Sequence, residues 1–202
     1  MVKLNKSVFF IKKNNENCTN LKKNQIILVN TAYEIDYFIN KIINQYTNNQ
    51  IIKTPTFSID IDGNIYQHYD PEITKVNFLD NIFDDTAIVI ALENVGWLNL
   101  NKKTKKFFDW KDSLYNNNVI EKSWRGKKYW ANYTTQQFNA LIELIDYLCI
   151  EYSIKKRFIG DNTFNPDILK FNGIINRSNF SKNHYDLSPA FDFEELSKNI
   201  NK

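Results

Sequence analysis

The chain has 202 residues, a formal net charge of +3, and hydrophobic and aromatic fractions of 43% and 15%. That length suits one domain with enough apolar surface for a sizeable core. The near balance of charge, with no recognition motif beside it, argues against a nucleic-acid binder, and two cysteines, Cys18 and Cys149, argue against a disulfide framework or a CxxC metal site.

Val8–Ile11 reads as a short strand, too short for a signal-peptide core or a membrane span. The expectation is a soluble protein with no signal peptide, released by lysis or carried in a particle. Asn14–Asn24 is polar and loop-like. Ile26–Val29 is a continuous apolar run of strand length, the pattern of a strand buried on both faces. Thr31 with Glu34 three residues later predicts a capping box, followed by Ile35, Phe38, Ile39, Ile42 and Tyr46 at helical spacing.

Strand-like residues on either side of Asp62-Gly63 predict a hairpin over Phe57–His68. Ala87–Leu92 is a second buried-strand run, and Trp97–Trp110 reads as a polar, Lys-rich segment. Thr134 and Gln137 form a second capping box, opening a helix with Phe138, Leu141, Ile142, Ile145, Leu148 and Tyr152 on its apolar stripe. Cys149 falls on that helix as a small hydrophobe. Arg157–Gly160 reads as a last short strand or strand end. Alternating strands and helices around one hairpin predict an α/β (α+β) domain, a central mixed sheet flanked by helices. Residues 1–25 are taken as an N-terminal strand and loop extension and 26–202 as the domain.

Several segments stand in an order that carries a resemblance. Ile27–Ala32 places an apolar strand before Asn-Thr, and Phe57–Gln67 places a strand, Asp-Gly and Ile-Tyr-Gln in sequence. Ala87–Leu98 contains Glu93-Asn94-Val95-Gly96, and Tyr133–Gln137 reads Tyr-Thr-Thr-Gln-Gln. Gly173–Arg177 precedes His184-Tyr-Asp186-Leu-Ser-Pro-Ala-Phe-Asp192-Phe193. Together, across Ile26–Leu196, these resemble the type-2 N-acetylmuramoyl-L-alanine amidases, relatives of the peptidoglycan-recognition proteins.

The resemblance implies the amidase fold, hydrolysis of the muramoyl–L-alanine amide, and a Zn²⁺ held by two His and one Asp or Cys, the three-ligand arrangement of catalytic zinc. Carried across, the first His position is Asn30 and the second is Arg177, which cannot coordinate a metal. The third is Asp186, of a type the family uses, and the family's Lys falls on His184. The Tyr-His pair near the hairpin falls at Pro55-Thr56, and a Trp-His position falls near Val76-Asn77. The chain has only two histidines, His68 and His184, so a shifted alignment does not restore the set. The expectation is a lost zinc site and no cofactor. The alternative is a relocated metal triad of His68, His184 and Asp186. An Arg177–Asp186 ion pair, with Asn30 beside it, is expected to fill the vacated place.

Tyr66, Trp97, Glu93 and Asn94 are the candidate substrate-binding residues, with Trp124 and Tyr129 as further stacking surfaces. The expected function is a catalytically degenerate amidase-fold protein. Its expected partners are peptidoglycan or phage structural proteins, with no nucleic acid and no membrane span. The alternatives are an active, endolysin-like amidase with an atypical site, or an unrelated α/β domain. The 30 asparagines beside abundant Lys and Ile read as AT-rich codon usage. They fit a phage gene product, placed in the virion or in the host cytoplasm before assembly or lysis.

Overall fold

The computed structural model describes residues 2–6, 8, 22–48, 53–72, 78–79, 83 and 86–200. A six-stranded mixed sheet forms from β1 (Leu4–Asn5), β2 (Gln25–Asn30), β3 (Phe57–Ile59), β4 (Ile65–Gln67), β5 (Ala87–Leu92) and a last strand, β11 (Gly173–Asn176), in the order β1-β4-β3-β5-β2-β11. β2 is an interior strand, parallel to both neighbours, with Gln25 opposite Ala87 and Gly173. β3 runs parallel to β5 and antiparallel to β4.

The apolar runs of β2 and β5 are buried at every position because both faces are covered. Ile26, Leu28, Ile88 and Ile90 point to one face, against Leu141, Leu144, Ile145 and Leu148 of α2 (Thr135–Glu151) and Leu196 of α3 (Phe193–Ile200). Ile27, Val29 and Val89 point to the other, against Leu79, Phe83 and Ile168. On that side α1 (Ile35–Thr47) packs Phe38, Ile39 and Ile42 against Tyr66 and Phe78. This is the mixed sheet with helices on both faces expected from the sequence.

The Thr134–Gln137 capping box forms as expected: Gln137 N–H donates to Thr134 Oγ1 and Thr134 N–H to Gln137 Oε1, both at 3.1 Å. At the Asp62-Gly63 turn, Gly63 has φ +84°, and a Cβ there would lie 2.8 Å from the Gln136 carbonyl oxygen. Asp60 closes the turn by accepting from the N–H groups of Asp62 and Asn64.

Three sequence expectations need correction. The Thr31–Glu34 capping box does not form. Glu34 is the N-cap residue and makes no side-chain cap, while the Thr31 hydroxyl donates to the Tyr33 carbonyl at 2.5 Å. The orphan N–H of Ile35 goes to Glu93 at the end of β5 instead, so the cap is supplied by tertiary structure. Trp97–Trp110 is not a featureless polar segment. It begins a second, antiparallel sheet of β6 (Trp97–Asn101), β7 (Lys106–Phe108), β8 (Leu114–Tyr115), β9 (Val119–Trp124) and β10 (Lys127–Ala131), in the order β8-β7-β6-β10-β9. Its outward positions are polar, which hides the strands, and its inward anchor is the fully buried Trp130. Arg157–Gly160 contributes only an isolated parallel bridge from Phe158 to Ile174. Of the expected strand at Val8–Ile11, Val8 is a bend and the rest lies outside the described residues.

Candidate functional site

The parallel strands β2, β5 and β11 end on the same edge of the sheet, and in open α/β sheets that edge is where ligands bind. Asn30 closes β2, Glu93-Asn94 follow β5, and Arg177 follows β11. The loop from Arg177 to Asp186 folds back over this edge. Ser178 holds it there, donating from both its N–H and its hydroxyl to the Asp186 carbonyl at 2.8 Å.

The three positions that the resemblance singled out converge. Arg177 Nε lies 3.6 Å from Asp186 Oδ2, and the two side chains are 16% and 9% exposed. The same Oδ2 accepts the Asn30 N–H at 3.1 Å. Asn30 Oδ1 in turn accepts the Tyr133 hydroxyl at 2.9 Å. Tyr133 is buried, and that burial pushes its phenol well above the ordinary tyrosine range. The expected ion pair is therefore present, buried and braced by a neutral hydrogen-bond chain.

This donor set does not fit a catalytic zinc. A site of that kind needs three anionic or imidazole ligands with an open position, whereas here a permanent cation faces the single carboxylate. The alternative triad is not assembled either. His68 is buried at the end of β4, its Nε2 2.7 Å from Ser58 Oγ, and His184 Nδ1 lies 2.6 Å from Ser181 Oγ on the loop over the sheet edge. Among the described residues no three His, Cys, Asp or Glu side chains converge as a metal site. Thr56 is buried, bonded to the Tyr69 hydroxyl and the Val89 N–H, while Val76-Asn77 lies outside the described residues.

A cleft of about 280 Å³ opens beside the pair, lined by Asn30, Trp97, Trp110, Arg177, His184 and Asp186 among others. A second hollow of about 440 Å³ adjoins it across Asn94 and Val95, and Glu34, Asp36, Asp60, Asp62 and Glu93 make it acidic. Of the proposed binding residues, Trp97 and Asn94 line the first cleft and Glu93 and Asn94 the second, with Lys127 Nζ 3.3 Å from the Trp97 ring centre.

Glu93, Asn94 and Tyr66 also serve as braces. Glu93 accepts the Ile35 and Ile61 N–H groups, one on each carboxylate oxygen, and burial raises its carboxyl above the ordinary range. Asn94 donates to the Ala131 and Asn132 carbonyls and accepts from Gly96 N–H, so its amide is spent inside the protein. Tyr66 donates to Asp60 at 2.9 Å; burial first, and Asp60 second, push its phenol up to about 12. Trp124 packs on Trp130 and Tyr185, and Tyr129 on Phe107.

Sequence reasoning missed Arg125. It sits in the β9–β10 turn, stacks over Trp124, and donates to the carbonyls of Ser178, Ser181 and His184. The second sheet thereby holds the loop that carries Asp186. Arg125-Gly126 was legible as a turn dipeptide, but only recognition of the flanking strands would have made it one. Trp110 was also missed; its indole N–H donates to the Ala32 carbonyl at 3.1 Å.

No family model matches the chain, and no curated protein matches it in sequence. Solved structures do. The N-acetylmuramoyl-L-alanine amidase LysC from Clostridium intestinale URNW matches with a TM-score of 0.56 at 18% identity, covering 98% of this chain and 97% of its own. The endolysin amidase LysCS from the same organism gives 0.57 at 18%, covering 100% and 97%. AmpDH3 from Pseudomonas aeruginosa, in complex with anhydromuramic pentapeptide, gives 0.54 at 13%, covering 94% of this chain and 63% of its own. Over nearly its whole length, this chain has the N-acetylmuramoyl-L-alanine amidase fold.

Proposed function

We propose that this protein is a catalytically degenerate member of the amidase fold that keeps the cell-wall cleft and has given up zinc hydrolysis. The observation that carries this reading is the Arg177–Asp186 pair at the carboxyl edge of the sheet, 3.6 Å apart, where the resemblance calls for a metal. A bound zinc would have to displace a fixed positive charge and recruit ligands that the described residues do not bring together. The cleft itself is open and walled by indole rings, which suits a sugar face. In fold neighbours the corresponding ligands are muropeptides, as in AmiD from E. coli with the substrate anhydro-N-acetylmuramic acid-L-Ala-D-gamma-Glu-L-Lys.

The codon-biased composition and the likeness to an endolysin support a phage setting. The protein acts there as a virion or cell-wall-binding component, in the particle or in the host cytoplasm before lysis. No described helix is long and apolar enough to cross a membrane. Co-sedimentation with purified peptidoglycan, coupled to an assay for newly freed L-alanine amino groups, tests the reading. Binding without release is expected. Release that zinc stimulates and chelator abolishes would overturn it.

A further inference from the structure

Arg177 carries more donor capacity than its surroundings use. Nε faces Asp186 at 3.6 Å and the guanidinium lies 5.3 Å from the Phe78 ring centre. Among the described residues, nothing accepts a hydrogen bond from Nη1 or Nη2, although the side chain is only 16% exposed. A guanidinium presents five N–H donors in a fixed fork and does not lose its charge. Neither Nη nitrogen is a buried atom without a partner; both are open to water, and an acceptor that enters the cleft that Arg177 lines can take the fork in water's place.

The charge of the wall specifies the acceptor. Asp186 is already engaged by Arg177 and the Asn30 N–H. Arg125 spends its donors on neutral carbonyls of the same loop and does not line the cleft, while Lys127 Nζ stands 3.3 Å from the ring centre of Trp97, which does. One carboxylate thus faces the Arg177 guanidinium, with the Lys127 ammonium beside the same wall. The adjoining hollow is acidic and turns anions away, which leaves the Arg177 end as the place for a negative group. At about 280 Å³ the cleft is at the small end of ligand pockets, roughly 300–1,000 Å³, a size that suits one sugar ring.

We propose that this cleft binds a carboxylated sugar, with the carboxylate in the Nη fork of Arg177 and the sugar face against Trp97 and Trp110. The proposal rests on the cell-wall reading above and names the ligand group that the site selects. The bond in the neighbours' name, N-acetylmuramoyl–L-alanine, joins a sugar acid to a peptide. While the amide is intact, that acid offers one neutral carbonyl oxygen. Once the peptide is gone it is a planar carboxylate, which a guanidinium grips through two parallel, charge-assisted bonds. The site therefore favours glycan stripped of its peptide over glycan that still bears it.

Titration of ¹⁵N-labelled protein with N-acetylmuramic acid, its methyl ester and N-acetylglucosamine tests this. The free acid is expected to bind tighter than the ester on the order of tenfold, with the Arg177 side-chain resonances shifting. Arg177→Gln should bring the acid to the ester's affinity while the ester's own affinity holds, a pattern that general loss of structure does not produce. Arg177→Lys should keep part of the preference. Acid and ester within about threefold of each other in the native protein would overturn the proposal. If purified peptidoglycan binds and neither sugar does, this proposal falls and the cell-wall reading stands. If nothing binds, both fall.

Discussion

Replacing Arg177 with alanine leaves Asp186 as a carboxylate whose side chain is 9% exposed, with the Asn30 N–H still bonded to it. At a separation of 3.6 Å and an effective dielectric of about 20, two unit charges attract by roughly 4.6 kcal/mol. That is an upper figure. The contact is made by Nε alone and is longer than a good hydrogen bond, and a carboxylate freed of its partner relaxes toward the cleft. Breaking a buried pair costs about 3–5 kcal/mol when geometry is ideal, so about 2 kcal/mol is expected here, a fall in Tm of about 4–8 °C for a domain of this size. The assay is urea or thermal denaturation of Arg177→Ala, Asp186→Asn and the double variant. If the cost comes from an uncompensated charge, Asp186→Asn should be much less harmful on the Arg177→Ala background than on the native one. An Arg177→Ala protein with native Tm, or a cycle with no coupling, would refute the reasoning.

Other perturbations test the braces around the site. Arg125→Ala removes donors from the carbonyls of Ser178, Ser181 and His184; a loss of about 2 kcal/mol is expected, and amide exchange should quicken over residues 178–186 while α2 is unaffected. Gly63→Ala forces a Cβ to within 2.8 Å of the Gln136 carbonyl at φ +84° and should cost about 1–3 kcal/mol in denaturation. Burial raises the Glu93 carboxyl from its ordinary 4.5, so over the range above 4.5 the folded state holds a proton that the unfolded state releases. Stability from this group is therefore present below 4.5 and is lost as pH rises toward the raised value. The stability of the native protein relative to Glu93→Gln should fall through that range; a flat or rising difference would count against it.

The fold was readable where the chain is buried on both faces. Ile26–Val29 and Ala87–Leu92 carry no alternation, and with their short length and β-branched residues that fits strands covered from both sides. The Thr134–Gln137 cap was legible because both partners lie within one helical turn. The α1 cap was not, because its acceptor, Glu93, lies 58 residues from Ile35 along the chain. The second sheet stayed hidden because strands such as Val119–Trp124 bury no side chain fully and place Glu121, Lys122 and Ser123 in solvent, without a clean apolar alternation. At the site, the convergence of Asn30, Arg177 and Asp186 followed from the order of the motifs. The roles of Glu93 and Asn94 did not, because residue type alone cannot show that a polar group already has its partners inside the protein.

Zinc binding by the native protein tests the central claim most directly. Purified protein titrated with zinc, with the bound metal measured at equilibrium against an Asp186→Asn control, should show no stoichiometric site and no difference between the two proteins. One equivalent of zinc held tightly by the native protein and lost from Asp186→Asn would contradict the account, since it would place a metal where Arg177 and Asp186 now face each other.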